Sequence, residues 1–203
     1  MFDEFSGYIL AGGKSSRMGT DKAFLKIGDK TFLENAVEIL RPICDTRIKI
    51  VLNQNQTHFT EKFPQKIPSI FDIYKNRGVL SGIHAAFKDC QTKYAVILAV
   101  DLPLVKTDVI LKLATYLTHS QNFSAIVPEQ ANYKLQPLCG IYKISSCLPI
   151  LEKLLEENNS ASVNQFLELI DTKIINYKKL QIDSKAFLNV NSAMDYEDMK
   201  NII

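Results

Sequence analysis

The chain is predicted to be an α/β protein: a Rossmann-like three-layer sandwich with a mostly parallel central sheet. Three observations predict it. Apolar runs of strand length alternate with helix-period segments along the chain. The run Tyr94–Val100, YAVILAV, is apolar without alternation, which suits a central strand covered on both faces. Polar residues follow one strand end after another: Gly12-Gly13, Asn53, Asp72 and Asp101. In such sheets ligands lie beyond the carboxyl ends of the strands, so these residues are expected to converge on one crevice.

The elements follow in order. Gly7–Ala11 is the first strand. Thr31-Phe32-Leu33-Glu34 has the form of a capping box, and Phe32, Leu33, Ala36, Val37 and Leu40 form one apolar helical face. Arg41-Pro42 is expected to end that helix. Ile48–Leu52 and Ser69–Phe71 are strands, Val79–Lys88 a helix, Tyr94–Val100 the central strand and Lys106–His119 an amphipathic helix. Phe123–Pro128 and Leu135–Tyr142 are strands, and Pro137 argues that the latter is an edge or carries a bulge. Helices are expected at Ser145–Asn158, after a serine cap, and at Val163–Ile170. Short strands are expected at Ile174–Tyr177 and Phe187–Val190. Ser192–Ile202 reads as a terminal helix with Ser192 as cap and Asp195 three residues on.

At 203 residues, with 46% apolar and 23% charged residues, the whole of 1–203 is expected to form a single domain around one sizeable core. Twenty-four basic residues against 22 acidic ones argue against a nucleic-acid binder, so a small anionic substrate must be held by locally placed charge. The N-terminal segment MFDEFSGYIL lacks the basic region of a signal peptide, and no run approaches the ~18 apolar residues of a membrane span. Cys44, Cys90, Cys139 and Cys147 contain no C-x-x-C pair and read as reduced core residues of a cytoplasmic protein. His58, His84 and His119 are dispersed and read as surface or partly buried residues rather than catalytic bases.

The most informative stretch is residues 8–23, YILAGGKSSRMGTDKA. A strand feeds a glycine-rich loop that carries Arg17 and Lys22. Glycines let backbone N–H groups approach phosphate oxygens, and successive N–H groups in a turn form an anion-holding concavity. Arg17 offers a planar fork and Lys22 a mobile point charge. The spacing fits neither G-x-x-x-x-G-K-[ST] nor G-x-G-x-x-G. The whole string reads as a triphosphate loop of another kind. Asp101 follows the most hydrophobic strand. A carboxylate there suits Mg²⁺, which takes one or two carboxylates plus phosphates and waters; the competing reading is a helix cap. Asn76–Ile83 is a second glycine-bearing loop opening a helix, and helix N-termini favour anions. Gly82 inside that pattern signals close approach of a ligand, or close packing against the sheet. In Phe187–Asn191 a strand would put Asn189 and Asn191 on one face, bordering a polyanion; alternatively Asn191 only helps cap the last helix.

The string LAGGKSSRMGTDKA resembles the signature of the molybdenum cofactor guanylyltransferases, within the Rossmann-like nucleotidyltransferases. The likeness continues in order along most of the chain. Residues 77–83, RGVLSGI, resemble the family's G-P-L-x-G-I loop, with Val79 in place of Pro. Ala99–Pro103 resembles its D-x-P metal motif, and Leu135–Tyr142 its Q-P-L-x-x-x-Y strand. Phe187–Asp195 resembles its F-x-N-x-N-T-P-x-D tail, with Ser192-Ala193 for Thr-Pro, which keeps a cap but loses the stiffening proline.

The resemblance implies transfer of GMP from MgGTP to molybdopterin, with or without its molybdenum, giving the guanine dinucleotide cofactor and pyrophosphate. It implies that Leu10, Ala11, Gly12 and Gly13 form the nucleotide-binding turn. Arg17 then holds the leaving phosphates, Lys22 neutralises charge at the α-phosphate, and Asp101 holds Mg²⁺. Asn53 and Asp72 contact the nucleoside. Gly78, Ser81, Gly82, Asn189 and Asn191 lie on the acceptor side. Partners are these substrates and proteins of cofactor biosynthesis or the recipient molybdoenzymes, with no nucleic acid and no membrane. The alternatives are a cytidylyl or sugar-1-phosphate nucleotidyltransferase, and a nucleotide-sensing protein that has kept the fold without the chemistry.

Overall fold

In the computed structural model the described residues are 3–12, 21–56, 59, 67–74, 77–119, 122–158 and 160–202. Strand β1 (Phe5–Leu10) leads through the glycine-rich segment to a 3₁₀ turn, Lys22–Phe24, and a small hairpin, β2 (Lys26–Ile27) with β3 (Lys30–Thr31). Helix α1 (Phe32–Cys44), β4 (Ile48–Leu52), β5 (Ser69–Phe71), α2 (Val79–Asp89), β6 (Tyr94–Ala99) and α3 (Thr107–His119) follow. Then come β7 (Ala125–Glu129), β8 (Cys139–Lys143), α4 (Ile144–Glu157), α5 (Val163–Glu168), β9 (Thr172–Asn176) and α6 (Ala193–Lys200).

The main sheet has the order β5-β4-β1-β6-β8-β7-β9. β1 pairs in parallel with β4 on one side and β6 on the other, with Ile9 opposite both Ile50 and Leu98. β5 extends the parallel part beside β4, and β9 lies parallel to β7. β8 alone runs antiparallel to its neighbours β6 and β7. The chain leaves β1 toward β4 and β5, then returns to β6 on the other side of β1. That reversal is a topological switch point, where a crevice opens at the carboxyl ends of the strands.

Alternate residues of the central strands serve opposite faces, which is why their sequences show no polar alternation. Phe5 and Ile9 of β1, with Tyr94, Val96 and Leu98 of β6, pack under α1 and α3. Tyr8 and Leu10, with Ala95 and Ile97, pack under α2, α4 and α5. The expected three layers and the central place of the YAVILAV strand are both present. The four cysteines are free and buried. No described helix is long and apolar enough to cross a membrane.

Several boundaries differ from expectation, each for a packing reason. The Thr31/Glu34 capping box forms as expected. However, α1 continues through Pro42 to Cys44, because Pro42 faces solvent while Ile43 and Cys44 beyond it are fully buried. The strand with Pro137 begins only at Cys139 and lies inside the sheet, not at its edge. Pro137 sits in the turn before it, where its carbonyl accepts from Tyr142 Oη at 2.7 Å. Helix α4 has no serine cap, since β8 runs straight into it through Lys143. Phe187–Val190 is not a strand. A 3₁₀ turn, Ser184–Phe187, precedes an irregular segment whose buried residues, Phe187 and Val190, are three apart rather than alternating. His84, expected at the surface or partly buried, is fully buried against the Tyr74 ring at 4.9 Å. The Ser192/Asp195 capping box of α6 forms as expected.

Candidate active site

Backbone hydrogen bonds draw the strand ends together. Ala11 N and Gly12 N both donate to Val51 O, at 3.0 and 3.1 Å, and Val100 N donates to Leu10 O at 3.1 Å. Asp72 N donates to Leu52 O at 2.9 Å. Gly12, Asn53, Asp72 and Asp101 therefore lie along one edge of the sheet, as the strand-end pattern predicts. A Cβ on residue 12 would stand 2.9 Å from Asn53 N and 3.3 Å from Leu52 C, so only glycine lets β1 and β4 close there.

One part of the edge is a charged corner. Lys22 Nζ lies 3.4 Å from Asp101 Oδ2 and donates to Asn191 Oδ1 at 2.6 Å. Both ionic side chains are largely covered, at 17% and 22% exposure. Three distant segments thus meet at one ammonium group. The tail is set there by its backbone, since Val190 N donates to Asp101 O at 3.0 Å, and by Asp195, whose carboxylate accepts from Asn191 N and Ser192 N. Burial raises the Asp101 pKa from its ordinary value, and Lys22 opposes that rise. Asp101 Oδ1 is buried with no hydrogen-bond partner. An orphaned oxygen on a buried carboxylate is costly without a cation, so the donor fits a divalent ion. Among the described residues no cluster of three or more His, Cys, Asp or Glu could hold one. Substrate phosphates and water must complete any coordination shell here.

The other part is a small pocket of about 20 Å³, lined by Leu10, Gly12, Val51, Asn53, Asp72, Gly78, Val79 and Gly82. It unites the residues expected at the nucleoside. Burial raises the Asp72 pKa, while its backbone carbonyl accepts from Gln54 Nε2 at 3.1 Å. Gly78, the N-cap of α2, has φ +57°, a left-handed conformation that favours glycine. A Cβ on Gly82 would meet only side-chain atoms of Leu10 and Val51 at 3.6 Å, which is ordinary contact. The fold itself therefore does not require glycine at 82.

Three expected placements compare with the structure as follows. Gly78 and Gly82, expected on the acceptor side, line one pocket with Leu10, Asn53 and Asp72, so the structure brings the two expected groups together. Ser81 does not reach the crevice at all. It is fully buried, and its hydroxyl accepts from Tyr74 N at 3.0 Å and donates to Tyr74 O at 2.8 Å, pinning the loop after Asp72. Asn189 and Asn191 do not share a strand face. Asn191 is at the corner, whereas the Asn189 amide lies 3.5 Å from Phe187 O, a long contact within its own turn. Gly13 and Arg17 lie outside the described residues.

Sequence reasoning missed Gln56. Its carboxamide joins Asn53, Ala11 and Asp21, which flank the pocket and the turn of Lys22. Nothing in the sequence distinguishes one glutamine in NQNQ from a solvated loop residue.

The model of the MobA-like NTP transferase domain matches residues 7–172. A probable molybdenum cofactor guanylyltransferase of Geobacillus sp. (strain WCH70) is 32% identical over 198 residues, covering 97% of this chain and 98% of its own. One from Clostridium perfringens (strain 13 / Type A) is 33% identical over 199 residues, covering 96% and 95%. Among solved structures, the molybdopterin-guanine dinucleotide biosynthesis protein A of Archaeoglobus fulgidus has a TM-score of 0.79 at 23% identity, covering 97% of both chains. A cytidylyltransferase of Leptospira borgpetersenii shares the fold at a TM-score of 0.72 and 17% identity, covering 97% of this chain and 85% of its own. The architecture is thus shared with both of these structures. The sequence match is narrower, and with it the chain belongs to the MobA-like NTP transferase family, among the molybdenum cofactor guanylyltransferases.

Proposed function

We propose that this chain transfers GMP from MgGTP to the terminal phosphate of molybdopterin, the molybdenum-bearing form included, yielding the guanine dinucleotide cofactor and pyrophosphate. The observation that carries the reading is the corner itself. Lys22 and Asp101, 79 positions apart in sequence, meet at 3.4 Å beside a pocket built from the ends of β1, β4 and β5. Family membership selects GTP and molybdopterin among the substrates such a corner can serve.

Mg²⁺ on Asp101 would supply charge neutralisation of the triphosphate. The remaining work is done by the chain's own residues. An oxygen of the acceptor phosphate forms a bond to the α-phosphorus. The bond from that phosphorus to the α,β-bridging oxygen breaks, and pyrophosphate leaves with the electron pair. No proton has to be removed, because a phosphate monoester with a second pKa of ~6 is mostly ionised near neutral pH. The task is therefore to bring two anions into line and offset their repulsion. Lys22 is placed to do so, since Asn191 and Asp101 engage two of its three N–H donors and leave one for a phosphate oxygen. Arg17 is assigned to the leaving phosphates.

The pocket at about 20 Å³ is close to the room one water needs, so the guanine would lie across its mouth. Asp72 and the backbone carbonyls near Leu10 can accept from guanine N1–H and N2–H, donors that adenine lacks. An unpaired buried acceptor is costly, which gives the site its base preference. The reaction is assigned to the cytoplasm.

The test is mass spectrometry of the products formed from molybdopterin with MgGTP, MgCTP or MgUTP. A guanine dinucleotide product formed preferentially supports the assignment. Equal use of CTP would leave only the wider nucleotidyltransferase reading, and GTP binding without pyrophosphate release would indicate a nucleotide sensor.

A further inference from the structure

We infer that Gln56 is a positioning residue of this site: one side chain that fixes the turn bearing Lys22 to the strand ends forming the nucleoside pocket. Gln56 Nε2 donates to Asp21 Oδ2 at 2.9 Å and to Ala11 O at 3.2 Å, while Gln56 Oε1 accepts from Asn53 N at 3.1 Å. Both amide hydrogens and the carbonyl oxygen are used. The partners also fix which way the amide faces. A carboxylate and a carbonyl require the NH₂ group, and a backbone N–H requires the oxygen. The main chain holds Gln56 in place, because its N donates to Asn53 O at 3.0 Å and its O accepts from Phe59 N at 3.0 Å.

Each partner sits at a functional boundary. Ala11 is buried directly after β1, and Asn53 follows β4 and lines the pocket. Asp21 caps the 3₁₀ turn that begins at Lys22: its Oδ1 accepts from Ala23 N at 3.2 Å, and its main-chain O accepts from Phe24 N at 3.0 Å. One oxygen of Asp21 thus shapes the Lys22 turn while the other is held by Gln56. Residues 11 and 21 bracket the glycine-rich stretch, and Gln56 ties these two ends to each other and to β4. The position of the Lys22 ammonium relative to the pocket depends on this tie. Gln56 touches no substrate in this account; it acts through Asp21 and Asn53.

The inference rests on the transferase reading for its kinetic consequence, but the tie is tested without substrate. Hydrogen exchange is measured on the free protein, wild type and Gln56→Ala. Ala23 and Phe24 amides should exchange at least tenfold faster in the variant, although they are more than thirty positions away in sequence. Unchanged exchange at both would overturn the inference, whatever the enzyme's substrate. Turnover is then measured in Gln56→Glu, which keeps an acceptor for Asn53 N but sets a carboxylate against Asp21. GMP transfer should fall at least tenfold in kcat per folded molecule. Asp21→Asn combined with Gln56→Glu restores a donor–acceptor pair across the contact, and it should recover most of that loss and exceed either single variant. Wild-type turnover in Gln56→Glu, or a double variant no better than the product of the singles, would reject the positioning role. An inactive wild type would instead refute the transferase reading and leave the exchange result to decide the tie.

Discussion

The charged corner and the strand-end pocket lie on one sheet edge, yet they are built in different ways. The corner is made of side chains from three distant segments, Lys22, Asp101 and Asn191, held by direct contacts. The pocket is framed by the ends of β1, β4 and β5 and the start of α2, where Gly12 allows two strand ends to close and Gly78 supplies a left-handed turn. Charge at the corner suits a task that changes along the reaction, and a pocket fixed by strand ends suits one that does not. The comparison teaches that rate and base choice should be separable by substitution.

The largest expected effect is at Asp101. Asp101→Asn should abolish Mg²⁺-dependent turnover. Its effect on stability should have the opposite sign, because the folded-state pKa of Asp101 is raised by burial. A carboxyl of raised pKa favours the fold while protonated and loses that contribution as pH rises through the folded value. Ionising this carboxyl in the folded protein is therefore costly. Asn should leave melting unchanged or raise it by about 2–4 °C, corresponding to about 1 kcal/mol. A loss of melting temperature with turnover retained would make Asp101 a structural residue.

Lys22→Ala comes next. Hydrogen bonds to charged groups are worth ~1.5–3 kcal/mol, so GMP transfer should fall tenfold or more, with a much smaller change in GTP affinity. Asn191→Ala should have a weaker effect of the same kind, since Val190 N still ties the tail to Asp101 O. Calorimetry and turnover on the same preparations check both.

On the pocket side, two glycines should behave differently. Gly12→Ala forces a Cβ to within 2.9 Å of Asn53 N and should lower stability by about 1–3 kcal/mol, together with GTP binding. Gly82→Ala meets only ordinary contact at 3.6 Å, so melting should hold while nucleotide affinity falls. If Gly82→Ala binds GTP like wild type, Gly82 leaves the site.

The smallest effect concerns His84, which is buried in α2 between Tyr74 and Glu152. Burial lowers its folded-state pKa below 6.5, against the opposing pull of Glu152, whose carboxylate lies 3.6 Å from Nε2. A histidine whose folded pKa is depressed stabilises the neutral fold above pH ~6.5 and loses that contribution as pH falls through the folded value. Melting of wild type should decline below pH ~6.5, and His84→Gln should flatten the decline while leaving turnover unchanged. An identical pH dependence in both proteins would remove His84 from the account.

Most of this architecture was legible in the sequence because burial dictates it. YAVILAV could only be a strand covered twice, and the Thr31/Glu34 and Ser192/Asp195 boxes announce two helix starts. The strand-end polar residues converge because parallel strands share an edge. What escaped was set by tertiary contact. Buried Ile43 and Cys44 carry α1 past Pro42, and the tail takes its shape from Asp101 rather than from strand pairing. Ser81 reads as a loop hydroxyl near a ligand but is consumed by Tyr74. Gln56 reads as a solvated residue but spans three segments, information no local pattern contains.

The most direct test of the division between corner and pocket crosses one variant from each with two readouts. Turnover at saturating GTP and the ratio of GTP to ATP affinity are measured for wild type, Lys22→Ala and Asp72→Asn. The account predicts that Lys22→Ala lowers turnover at least tenfold and leaves the affinity ratio within about twofold. It predicts that Asp72→Asn lowers the ratio several-fold and leaves saturated turnover near wild type. A Lys22→Ala enzyme that loses base preference along with rate, or an Asp72→Asn enzyme that keeps its preference for GTP, would contradict it.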